Sequence, residues 1–121
     1  MKTFLASILL VLTASCGILG TSTGLSQQNV APAATIVCNR HDSYVNSDAG
    51  LNVQSAQEFL SQSAAVRGLL ANDPIPVAPL RAALTPVLDR YDAYVQADAS
   101  LTAPQQVTRL RSSELLRSLI E

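Results

Sequence analysis

His41 is the only histidine in the 121 residues, and Asp42 and Ser43 follow it directly, so the three side-chain types of a nucleophilic triad stand side by side. A triad needs those groups to converge on one point, whereas consecutive helical residues project about 100° apart. Acid–base work by His41 would also need a cleft and a positioned partner. A structural role for the ring is therefore expected and no catalytic residue is assigned; a small hydrolase built on His41 and a carboxylate is the enzymatic alternative. Two cysteines and one histidine cannot furnish the four ligands of a structural zinc site. Asn46-x-Asp48-x-Gly50 begins like a calcium loop, but Leu51 and Gln57 occupy the places where such a loop needs its glycine and its closing glutamate. Neither metal nor other cofactor is expected, and Asp48 reads as a turn residue.

A different polar set carries more information. Arg40, Asp42, Asp48 and Arg67 recur fifty residues later as Arg90, Asp92, Asp98 and Arg117. Aligning the chain with itself at this offset requires no gap, and residues 40–51 match 90–101 at seven of twelve positions. Ala33, Thr35, Val37, Leu60, Ser63, Arg67 and Leu69 extend the match, giving 14 identities over the 39 positions of 33–71. Two unrelated amphipathic helices would share apolar positions, but not Arg, Asp, Tyr and Asp in register. One structural unit is used twice. The eight matched charges are expected to dock the arms of each unit by ion pairs and turn bonds, or else to form two equivalent patches for a protein partner.

The elements that hold these residues follow from periodicity. Val37, His41, Tyr44, Val45 and Asp48 recur at helical spacing, as do Val87, Tyr91, Tyr94, Val95 and Asp98. Asp48-Ala49-Gly50 and Asp98-Ala99-Ser100 break the pattern. Asn52 then caps a second helix, and Thr102, Pro104 and Gln105 start its counterpart with a capping box. Tyr91 at the position of His41 suggests a half-buried helix face that takes a ring with a polar edge. Cys38 falls opposite Leu88 and reads as a small core residue; pairing with Cys16 or with another chain is the alternative.

The expected architecture is all-α: two tandem helical hairpins, 33–71 and 83–121, packed as a small four-helix arrangement. Residues 72–82 form a proline-rich linker and the start of the third helix. Pro86 would either kink that helix or split it.

Residues 1–15 read as an export signal: Lys2, an apolar run from Phe4 to Leu12, then small residues up to Cys16. The uncharged stretch from Thr3 to Ile18 is short for a membrane span. Leu12-Thr13-Ala14-Ser15-Cys16 resembles the lipobox of bacterial lipoproteins, with Thr13 in place of the commoner leucine. The resemblance implies acylation of Cys16, which would become the mature N-terminus; an ordinary secretory signal cut near Ser15 or Gly17 is the alternative. Residues 16–32, rich in Gly, Ser, Thr and Gln, then read as the acylated cysteine and a flexible tether. Loss of residues 1–15 removes Lys2 and leaves carboxylates outnumbering arginines, so the acyl chains rather than polybasic attraction would hold the protein on the membrane. The repeat pattern, with Leu110-Arg111-Ser112-Ser113-Glu114-Leu115-Leu116-Arg117, is similar to that of small helical proteins of bacteria and their phages, and this resemblance implies no activity.

A formal net charge of -1, five aromatics and no tryptophan leave neither the basic footprint nor the stacking surface of a nucleic-acid binder. The sequence thus points to a non-enzymatic, membrane-tethered helical protein of the cell envelope that works through contacts with an envelope protein. A secreted or periplasmic form is the alternative location, and a structural protein that self-associates into a homo-oligomer is the alternative function.

Overall fold

The computed structural model describes residues 24–121, so the signal segment and Cys16 lie outside the described residues. The fold is all-α. Helices α1 (Gln27–Ser47), α2 (Val53–Leu70), α3 (Val77–Ala97) and α4 (Ala103–Ile120) pack together, with a minor antiparallel pairing of β1 (Gly24–Leu25) and β2 (Ile75–Pro76). The helix boundaries of the two halves coincide at the offset of fifty residues.

The longer helices α1 and α3 contact each other, and each also packs against both α2 and α4, so they form a central pair flanked by the two shorter helices. Their buried faces are one pattern written twice. Val30, Ala34, Val37, Cys38, His41 and Val45 on α1 correspond to Leu80, Leu84, Val87, Leu88, Tyr91 and Val95 on α3. Ser63, Val66 and Leu70 on α2 correspond likewise to Ser113, Leu116 and Ile120 on α4. Each fully buried Leu or Val contributes about 1.5–3 kcal/mol by leaving water, and with Tyr91 and His41 as the fully buried rings among the described residues the core depends on the number of such side chains.

The local signals act as their chemistry demands. Asp48 Oδ1 accepts from the Gly50 amide and Asp98 Oδ1 from the Ser100 amide, both at 2.9 Å, closing the two hairpin turns. Asn52 caps α2 by accepting from the Ser55 amide, and Thr102 and Gln105 complete the reciprocal capping box of α4.

The expected tether needs correction. The tether does not extend to Pro32: Gly24–Leu25 is paired with Ile75–Pro76, and α1 is helical from Gln27 with Val30 fully buried. Gly24 is essential to that pairing, since a Cβ there would lie 2.5 Å from Pro74 Cβ. Pro32 is the sixth residue of α1, and the carbonyl it leaves without a helical partner belongs to exposed Gln28, where water can satisfy it. Within 72–82 the linker gives way to the third helix at Val77, and Ile75 of the linker is fully buried in the core. Pro86 does not split α3, which is one helix from Val77 to Ala97; Thr85 Oγ1 donates to the Arg81 carbonyl one turn back.

Candidate functional site

The repeated polar residues converge on the contact between the two hairpins. Tyr44 and Tyr94 stack with ring centroids 5.3 Å apart and planes 12° from parallel. Tyr44 Oη donates to Asp98 Oδ2 and Tyr94 Oη donates to Asp48 Oδ2, each at 2.8 Å. Exchanging the halves maps this cluster onto itself, which is the signature of an isologous contact within one chain. Burial pushes the Tyr94 hydroxyl up, and its bond to Asp48 adds to the effect, to a pKa of about 12. Tyr44 is raised for the same reasons, with Arg109 opposing. Asp98 is held below the usual carboxylate range by the Ser100 and Tyr44 bonds.

Arg40 and Arg90 also reach across. Arg40 donates to Tyr91 Oη at 3.4 Å, while Arg90 lies 3.1 Å from His41 Nε2. A guanidinium can only donate, so Nε2 accepts and the ring proton sits on Nδ1, which donates to Asp42 Oδ1 at 3.0 Å. His41 is fully buried rather than half-buried, and both of its nitrogens are engaged. Burial pulls its pKa below the ordinary value despite the favourable Asp42 carboxylate.

The remaining pairs dock the arms within each unit. Arg67 bridges Asp42 and Asn39, both at 2.8 Å, and Arg117 bridges Asp92 and Asp89, both at 2.9 Å. Burial would raise Asp42, but bonds from Ser63, His41 and Arg67 together hold it low. All eight charges singled out from the sequence are thus engaged in internal contacts. Cys38 is a buried free thiol whose pKa burial raises to about 11, as a core residue should be. Among the described residues no group of three or more His, Cys, Asp or Glu could hold a metal ion.

The two halves differ in two instructive places. Asp42 Oδ1 is met by both His41 and Ser63, whereas among the described residues the counterparts Asp92 Oδ1 and Ser113 Oγ are buried without hydrogen-bond partners. The other difference lies over the crossing arginines. Phe59 covers Arg90, its ring centroid 3.5 Å from the guanidinium carbon, and Gln62 accepts from the same group. The position equivalent to Phe59 is Arg109, which donates to Tyr44 Oη at 2.9 Å and shares an open groove with Arg40, Pro104, Gln105 and Thr108. Arg109 was invisible to reasoning from shared residues because it is a departure from the repeat.

Comparison of the chain with protein-family models, curated proteins and solved structures finds no match.

Proposed function

We propose that the protein is a membrane-tethered helical component of a bacterial or phage-derived cell envelope that acts by binding another envelope protein, without catalysis of its own. The tether rests on the lipobox-like Leu12–Cys16. The observation that carries protein binding is a strip along α1: Ala31, Pro32 and Ile36 line an apolar groove, Ile36 is 48% exposed, and Arg40 follows one turn on. An apolar centre with an arginine beside it is the composition of a protein contact surface. The other matched charges support the same reading in another way, because they hold the hairpins in one arrangement.

Two measurements test this together. Labelling with a palmitate analogue should mark the wild-type chain and not Cys16→Ser. A photo-cross-linking residue at Ile36, compared with one at exposed Gln57, should give a discrete adduct only at Ile36 and only in the anchored protein. Equal labelling of both chains removes the lipid anchor. An adduct of twice the chain's own mass replaces the envelope partner with self-association.

A further inference from the structure

The internal repeat provides its own comparison for the groove between α1 and α4. In the first half a crossing arginine, Arg90, is covered by Phe59 and bonded to His41 and Gln62. In the second half the covering aromatic is replaced by Arg109, so two arginines, Arg40 and Arg109, line one open groove. Among the described residues neither is within ion-pair distance of a carboxylate, although Arg67 and Arg117 each are. Each is instead fixed by a neutral hydroxyl, Arg40 by Tyr91 and Arg109 by Tyr44. Arg109 also lines the adjoining cleft that holds Asp48 and Asp98, and its charge helps to lower the Asp98 carboxyl, while Asp98 also accepts from Tyr44.

Two like charges facing one groove disfavour the empty state and favour an anion. Guanidinium forks match carboxylates in plane and spacing, and here the tyrosine bonds hold both forks before any ligand arrives. Pro104, Gln105 and the exposed Thr108 form the remaining wall, and the acidic cleft beyond Arg109 closes that direction to a second negative group. The apolar strip ending at Ile36 leads along α1 towards Arg40. We infer that the Arg40–Arg109 groove is an anion site that takes the carboxylates of an acidic peptide segment, an inference that rests on the protein-binding reading and names the chemistry of the partner.

The test uses the full-length chain and defined probes at constant ionic strength. Tetraglutamate should saturate the chemical-shift changes of the Arg40 and Arg109 side-chain N–H groups, and tetraglutamine should not. Arg109→Phe installs the residue that the first repeat already carries at this position, so the variant should stay folded while its affinity for tetraglutamate falls by about tenfold or more. Arg40→Gln should weaken binding similarly, and substitution of exposed Arg111 by Gln should leave it unchanged. Several results overturn the site: no saturable response to tetraglutamate, equal response to tetraglutamine, unaltered binding by Arg109→Phe, or equal weakening by Arg111→Gln. A stronger response to phosphatidylglycerol vesicles than to tetraglutamate would assign the groove to lipid instead. Because only purified protein and a peptide are used, failure here leaves the Ile36 cross-link untouched, and loss of that cross-link with intact tetraglutamate binding refutes the envelope-partner reading alone.

Discussion

Removing the hydroxyl of Tyr94 leaves its ring stacked on Tyr44 but deletes the bond to Asp48. A hydrogen bond to a charged group contributes about 1.5–3 kcal/mol. The cleft around the pair is open, so water can replace the donor, and the low end applies: Tyr94→Phe should cost about 1.5 kcal/mol. Tyr44→Phe loses the equivalent bond to Asp98 and also the oxygen that receives Arg109, and should cost about 2 kcal/mol. The two rings are in contact and the two bonds cross between the same helices, so the double variant should depart from additivity by about 0.5 kcal/mol or more. Urea unfolding of the three variants, analysed by linear extrapolation at neutral pH, measures all of these. For a small domain with a total stability of about 5–15 kcal/mol such losses are large. If Tyr94→Phe leaves the midpoint unchanged, or if the two costs add without coupling, the crossed tyrosine–aspartate pairs do not hold the hairpins together.

Two further outcomes follow from titration. His41 is held neutral in the fold with its pKa below the unfolded value, so its contribution is complete above about pH 6.5 and is lost as pH falls through the folded pKa; protonation would set it against Arg90 and Arg67. Acid-side stability should therefore drop more steeply in wild type than in His41→Tyr, which should fold and retain function, whereas a folded His41→Tyr protein without function would restore a chemical role for the ring. Tyr94 has the opposite sign: its folded pKa of about 12 exceeds the ordinary value near 10, so that stability is present below pH 10 and lost between about pH 10 and 12. Ultraviolet titration of wild type should show a tyrosinate step near pH 12 that Tyr94→Phe lacks, and an unchanged curve would contradict the Asp48 bond.

The hairpins were legible in the sequence because their signals are local: Asp48 and Asp98 at the turns, Asn52 and Thr102 at the caps, and apolar residues at helical spacing. The start of α1 was not, because Gly, Ser, Gln and a proline dominate the composition there and no charge marks a polar face. The signal that would have found it was the repeat itself, since Val30 and Ala34 fall opposite Leu80 and Leu84 although the residues are not identical. Arg40, Asp42, Arg67 and their counterparts could be identified as a set, and Arg67 and Arg117 do dock the arms as expected. That Arg40 and Arg90 cross to the opposite hairpin depends on how the two units pack, which no spacing within one unit encodes. The full burial of His41 has the same origin, since Arg90 closes over it from the other half.

Covalent linkage of the two hairpins has a consequence for dilution. Two separate copies in the same isologous arrangement would fall apart as their concentration dropped, and their stability could not be stated without it. Joined through residues 71–76, each hairpin meets the other at an effective concentration in the millimolar range or above, so even a single molecule stays assembled. A true dimer would also repeat every substitution on both sides of its axis, and replacing Phe59 with arginine would expose both crossing arginines. In one chain the exchange is made once: the first half keeps its covered arginine and the second is free to differ.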